Sequence, residues 1–351
     1  MSKLENHNWQ LATPNCYNLP VKVLVAGGAG YIGSHVALML SEMGYEPVVY
    51  DNMSGGHSWA VTGDLIKGDI SDRALLSAVI EDYRPAAIMH FASRILVGES
   101  MERPELYYST NVSGSINLLE LALEKGIPVI FSSSAAVYGT PETVPITEDS
   151  PTRPESVYGE TKLVVERALD WYSRLRGLRY VSLRYFNAAG ASPSGRLGEM
   201  HKPETHLIPL CLHALLGLRD RLVVFGDDYP TPDGTCIRDY IHVDDLADAH
   251  IRALEWLLSG GQSRVYNLGS EKGYSNLEVI RAVSRVTGKD VPWKMGQRRP
   301  GDPPVLLASS ERIRSELAWS PRYGLEDMIA HAWDFLLAHE EMAREIYLES
   351  L

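Results

Sequence analysis

Cysteine is scarce in this chain: Cys16, Cys211 and Cys236 stand far apart. Three such residues offer neither a disulfide framework nor the paired spacing of a structural metal site, so no metal is expected and a reducing cytoplasm fits best. Long apolar runs are missing as well; none approaches the length that spans a bilayer. Positive charge is short: 33 Lys and Arg face 45 Asp and Glu, for a net charge of −12. The small basic groups Arg174/Arg176/Arg179 and Arg298/Arg299 do not overturn that balance. It argues against a nucleic-acid or membrane surface as partner. Residues 1–20 lack the hydrophobic centre of a secretion signal, and they read as an extension ahead of the fold. Internal repeats and low-complexity tracts are also lacking. What remains is 351 residues, 45% apolar and 22% charged, enough for one large core or two smaller ones.

The most informative stretch runs from Val21 to Asp51. A short apolar run to Ala26 reads as a strand buried on both faces. Gly27, Gly30 and Gly33 follow at three-residue spacing, and then comes a helical pattern stopped near Gly44. Gly27 permits the turn, Gly30 permits close approach of a pyrophosphate, and Gly33 lets the helix settle on the strand. The helix start offers unpaired N–H groups to phosphate. A second strand ends in Asp51, about 20 residues past the glycines, where a carboxylate holds the adenosine ribose hydroxyls. Met53 and Ser54 supply no arginine for a 2′-phosphate, so NAD is favoured over NADP.

Strands and helices then alternate to Asn187, which predicts an α/β fold: a Rossmann-type doubly wound parallel sheet with helices on both faces. Residues 188–206 are rich in Gly, Pro and Ser, and strand signals thin out afterwards. A smaller, mixed α/β substrate-binding unit is expected there. The division placed on this pattern is 21–187 plus about 239–262 for the dinucleotide unit, and 188–238 plus about 263–351 for the smaller one.

Ligands on such a sheet bind beyond the carboxyl ends of its strands. Those ends carry Asp69, which serves equally well as a helix-entry turn residue, then Phe91-Ala92, and Ser132-Ser133-Ser134, which turns also favour. Tyr158 and Lys162 lie four apart on a predicted helix and so share a face. A free phenol is a poor base at neutral pH. A nearby ammonium and an oxidised nicotinamide would both favour the phenolate, and Ser134 can relay its proton. Tyr-x-x-x-Lys is common by chance; its place one crossover after a serine-ended strand gives it weight.

GGAGYIGSH at 27–35, Asp51, HFA at 90–92, FSSSAAVYG at 131–139 and YGETK at 158–162 resemble the extended short-chain dehydrogenase/reductase family. LRYFNAAGASPSG at 183–195, HLIP at 206–209, FGDDYPTPDGTCIRDYIHVDDLADAH at 225–250 and RRPGD at 298–302 resemble its UDP-glucose (UDP-galactose) 4-epimerase branch. The resemblance implies NAD held by Gly27, Gly30, Tyr31, Ile32, Gly33, Asp51, Asn52, Asp69, Ile70, Phe91, Ala92, Ser132, Tyr158, Lys162 and Tyr185. It implies proton transfer by Ser134 and Tyr158, with Lys162 on the nicotinamide ribose and the tyrosine. Asn187, His206, Leu207, Arg238, Arg299, Asp302 and Leu306 would line the UDP-sugar site. For Arg238 a surface ion pair with Asp239 is the competing reading. The implied reaction inverts C4 of a UDP-hexose through a transient 4-keto sugar that turns about its diphosphate link. Relatives pair as homodimers through helices at about 104–125 and 156–175, which is expected here too.

Some positions depart from the family. Arg94-Ile95-Leu96 stands where a cofactor contact is often polar, and Leu306 neither admits nor excludes N-acetylated sugars. Ser309 replaces a common aspartate and reads as a helix cap. The acid pair that nucleotide-sugar dehydratases carry after the serine strand is here Ala135-Ala136, which can neither donate nor accept a proton. A 4-ketoreductase using the same Tyr and Lys, and a non-catalytic NAD sensor, remain as rival functions.

Overall fold

The structure is a computed structural model describing residues 20–298 and 302–348. The extension at residues 1–19 and Arg299 lie outside the described residues.

Seven strands build the main sheet: β1 (Lys22–Ala26), β2 (Glu46–Asp51), β3 (Asp64–Lys67), β4 (Ala87–His90), β5 (Val129–Ser134), β6 (Tyr180–Tyr185) and, late in the chain, β10 (Arg264–Leu268). They run parallel in the order β10-β6-β5-β4-β1-β2-β3. Order reverses between β1 and β4, which is where a doubly wound sheet opens a crevice for ligand. One face is covered by α1 (Tyr31–Glu42) and α8 (Val243–Leu258), around Val25, Leu40, Leu246 and Leu254. The other is covered by α2 (Arg73–Tyr83), α5 (Ser115–Lys125) and α6 (Val157–Arg176), around Leu76, Ile88, Leu118 and Val165. Burial on both faces explains why the strands read as unbroken apolar runs rather than as alternation.

Local signals behave as the sequence suggests at several boundaries. The Asp72 side chain accepts from the Leu75 N–H at 3.0 Å and starts α2. Ser156 caps α6 through the Gly159 N–H. After α3 (Val97–Glu102), Pro104 opens α4 (Pro104–Tyr107), and helical structure continues to Gly126 through a wider π segment, Tyr108–Gly114.

The smaller sheet centres on β9 (Ile237–His242). It pairs in parallel with β7 (Asn187–Ala189) and β13 (Val305–Leu306), and antiparallel with β11 (Gly273–Ser275). A second small pair joins β8 (Leu222–Phe225) to β12 (Trp293–Gly296). Helices α7 (Leu207–Leu215), α9 (Asn276–Thr287), α11 (Leu325–Ala338) and α12 (Glu340–Leu348) pack around them, and α10 (Glu311–Leu317) lies against the main sheet.

Three expectations need correction. Residues 264–268, assigned to the smaller unit, form the edge strand of the main sheet by pairing with β6. Residues 239–242, assigned to the larger unit, belong to β9. Short apolar strands carry no label of the sheet they join; pairing partners decide it. Ser310 rather than Ser309 stands at the start of α10, and its hydroxyl donates to the Gly269 carbonyl instead of capping.

Candidate active site

The glycine turn is shaped by backbone contact. Gly27 has φ +82°, and a Cβ there would lie 2.5 Å from the Ala92 nitrogen; one at Gly33 would lie 2.3 Å from the Gly27 carbonyl oxygen. Neither position admits a side chain. Gly30 opens α1 with no side-chain cap, so the first N–H groups of a twelve-residue helix face the crevice without a capping oxygen. Asp51, buried at the end of β2, accepts from the Ala29 N–H at 3.0 Å and the Met53 N–H at 2.8 Å. That tie fixes its carboxylate against the turn. Asn52 donates to Asp69 at 2.6 Å, so these two candidates form one unit. Burial alone would raise the Asp69 pKa, but hydrogen bonds from Ser71 and Asn52 hold it below the usual carboxylate value. Asp69 therefore also plays the turn role that the sequence left open. The donor set, an uncapped helix start beside a carboxylate with no adjacent arginine, fits a dinucleotide without a 2′-phosphate.

Other cofactor candidates sort by their surroundings. Phe91 and Ala92 both donate their N–H groups to the Ala26 carbonyl, which brings the end of β4 against the glycine turn. Ile70 is buried in the core on the α2 and α5 face of the sheet, and Ile32 packs against the core on the α1 and α8 face. The Tyr31 hydroxyl donates to the Gly190 carbonyl at 2.7 Å, linking the start of α1 to the glycine-rich segment after β7.

Ser134, Tyr158 and Lys162 come together at the end of β5. The Ser134 hydroxyl accepts from the Ala136 N–H at 3.1 Å and interacts with the Tyr158 phenol. Lys162 Nζ donates to Ser93 Oγ at 3.0 Å and to the Ser132 carbonyl at 2.8 Å, and it lies 5.8 Å from the centre of the Tyr158 ring. The Ser132 hydroxyl and the Tyr185 phenol share a short hydrogen bond. Burial pushes the Tyr158 pKa up, with Ser134 opposing it. Lys162 beside it is buried as well: desolvation lowers its pKa from 10.5 to about 7, with Glu166 opposing.

That depressed lysine makes stability depend on pH. Between pH 7 and pH 10.5 the unfolded chain binds a proton at Lys162 that the folded chain does not, so its contribution favours folding increasingly as pH rises through this window. In urea melts from pH 7 to pH 9, the wild-type protein should gain stability relative to Lys162→Met. Parallel profiles for the two proteins would mean that Lys162 does not titrate there.

On the smaller sheet, Arg238 and Leu306 are paired residues of β9 and β13, and Asp302 comes to them by a short ion pair with Arg238. The competing partner Asp239 is fully buried and accepts instead from Ser270, Glu271 and Ala308. Asn187 opens β7 beside β9, and Leu207 is the first residue of α7. The His206 side chain is bound to Glu199 at 2.5 Å and Glu204 at 3.2 Å within its own loop.

Several positioning residues were not legible in the sequence. Ser93 orients Lys162, the Ser100 hydroxyl accepts from the Tyr158 N–H at 3.1 Å, and Asn111 bridges the Arg94 backbone and Thr161. They come from loops and helices distant in sequence, so no spacing announces them.

Residues 23–269 match the NAD dependent epimerase/dehydratase family. The chain is 49% identical over 320 residues to a UDP-glucose 4-epimerase of Halalkalibacterium halodurans, covering 90% of this chain and 96% of that protein. Its structure resembles the UDP-glucose 4-epimerase of Brucella ovis in complex with NAD, at TM-score 0.87 and 50% identity over 89% of this chain and 97% of that one. It also resembles the Stenotrophomonas maltophila UDP-glucose-4-epimerase with bound NAD and formylated UDP-arabinopyranose, at TM-score 0.89 and 39% identity over 92% and 99%.

Proposed function

The chain belongs to the NAD dependent epimerase/dehydratase family, and from that premise we propose that it inverts C4 of a UDP-hexose, interconverting UDP-galactose and UDP-glucose. The observation that carries this reading is the meeting of Ser134, Tyr158 and Lys162 at the carboxyl end of β5, followed by Ala135 and Ala136 where dehydration would need acids. Bound NAD supplies the two-electron acceptor and donor for C4 and, when oxidised, the positive charge that favours the phenolate. The protein's own work is to move a proton and hold a nucleotide. Tyr158 takes and returns the C4 hydroxyl proton, with Ser134 as its hydrogen-bond partner. Arg238 and Asp302 provide a charged donor and an acceptor suited to a diphosphate and to ribose hydroxyls. Arg299 would add a second guanidinium. Firm grip on UDP and few contacts to the hexose suit an intermediate that must turn over.

The larger unit would hold the dinucleotide and the smaller one the nucleotide sugar. Exposed apolar side chains on the helices at 104–125 and 156–175, notably Tyr108, Trp171 and Leu175, support a homodimer formed there. Cys211 and Cys236 are free and buried, which suits a reducing cytoplasm; the proposed interconversion would serve galactose metabolism. Leu306, half-buried beside Arg238, by its size neither admits nor excludes N-acetylated sugars.

The test is direct. Purified protein should equilibrate UDP-galactose with UDP-glucose with no reductant added. Consumption of added NADH in proportion to product would instead identify a 4-ketoreductase, and no conversion at all would leave only a dinucleotide-binding role.

A further inference from the structure

Two glutamates and two histidines converge in the segment that joins the glycine-rich loop to α7. Glu199, His201, Glu204 and His206 occupy a Glu-x-His-x-x-Glu-x-His pattern, and one ligating atom from each lies within 4.8 Å of all the others. Among the described residues no other group of His, Cys, Asp and Glu comes together in this way. His201 Nδ1 lies 2.9 Å from Glu199 Oε1, and His206 Nδ1 lies 2.5 Å from the same oxygen. The Glu199 and Glu204 side chains are 4% and 3% exposed.

One oxygen in this cluster stands out. Glu204 Oε1 accepts the N–H groups of Thr205 and His206 at 2.7 and 2.8 Å. Glu204 Oε2 is buried and has no hydrogen-bond partner among the described residues, and His201 Nδ1 lies 3.7 Å from it. A buried carboxylate oxygen without a donor is costly. A cation placed among the four side chains removes that cost.

We propose that Glu199, His201, Glu204 and His206 form a mononuclear site for a divalent transition metal of the Zn2+ class. Two imidazole nitrogens and two carboxylate oxygens make a four-coordinate donor set of the kind zinc accepts. Imidazole disfavours Mg2+ and Ca2+, which require oxygen ligands. Two carboxylates and two neutral imidazoles balance a divalent charge. The His206 side chain, 43% exposed, gives the ion a way in. The cysteine spacing points away from any metal; the donors here are histidines and glutamates within a span of eight residues.

The site's place in the fold gives it a role. The Tyr31 ring meets the His201 ring edge-on at 5.9 Å, so the cluster borders the start of α1, while His206 leads into α7. A metal would clip this otherwise irregular segment between the glycine turn and the smaller unit. The site is structural and takes no part in the proton transfer.

The experiment uses the full chain with its bound NAD, dialysed against chelator. Zn2+ is then titrated against a chromophoric competitor, and Co2+ is added separately to read ligand geometry by visible absorption. One Zn2+ per chain, an intense tetrahedral Co2+ band and a higher melting temperature with Zn2+ are expected. His201→Gln and Glu204→Gln should each weaken Zn2+ binding by about a hundredfold or more while keeping NAD bound. Zn2+ uptake well below one per chain, a Co2+ spectrum no different from the aqueous ion, or undiminished binding in both variants would overturn the proposal. The first two outcomes would mean that protons on the two imidazoles balance the glutamates instead.

Discussion

Replacing Tyr158 with phenylalanine is expected to lower the turnover of UDP-galactose by about 10²–10⁴-fold, the usual worth of a positioned acid–base group. The substitution removes one oxygen and keeps the ring. Tyr158 is held in the first turn of α6 through its N–H bond to Ser100, and Lys162 keeps its own bonds to Ser93 and the Ser132 carbonyl. The site should therefore stay assembled, with the Ser134 hydroxyl losing its phenolic partner. NAD content and melting temperature should match the wild-type protein, which separates lost chemistry from lost structure. Turnover within a few-fold of wild type would remove Tyr158 as the acid–base group and move suspicion to Ser134.

The largest expected effect on stability lies just behind the site. Glu166 and Arg184 are both nearly fully buried. Glu166 Oε2 accepts from Arg184 Nη2 at 2.5 Å, Oε1 accepts from Arg184 Nε at 2.9 Å and from the Ser182 hydroxyl at 3.0 Å, and Arg184 Nη1 donates to the Tyr138 hydroxyl at 2.8 Å. Glu166→Ala strands a guanidinium and should destabilise the protein by about 3–5 kcal/mol. Removing an exposed partner, as in Arg174 with Asp170 on the same helix, should cost only about 0.2–1 kcal/mol. Because Glu166 also opposes the depression of the Lys162 pKa, its loss should push that lysine further below its ordinary value. Urea melts of Glu166→Ala and of the double variant with Arg184→Met test this: the second change should recover part of the loss. A Glu166→Ala penalty under about 1 kcal/mol would mean that water reaches Arg184.

Much of the larger unit was legible because its signals are local. The order strand, glycine turn, helix, strand, aspartate is written in 31 consecutive residues, and each boundary depends on neighbours a few positions away. Asp72 and Ser156 cap their helices with their own side chains, and Gly126 and Gly177 end theirs in the left-handed conformation. Tyr158 and Lys162 share a face by helical geometry alone. Resemblance then extended the reading to the smaller unit, where periodicity is faint.

The sequence by itself determined the alternating order of elements and the glycine turn, because those rest on backbone sterics and short-range periodicity, and it singled out Ser134, Tyr158 and Lys162 as candidates. Only the tertiary structure decided that residues 264–268 edge the main sheet, that Arg238 pairs with Asp302 rather than Asp239, that burial raises the Tyr158 pKa and lowers that of Lys162, and that Glu199, His201, Glu204 and His206 gather in one place. Desolvation and ion pairing depend on which groups meet across long stretches of chain, and that is set when the elements pack.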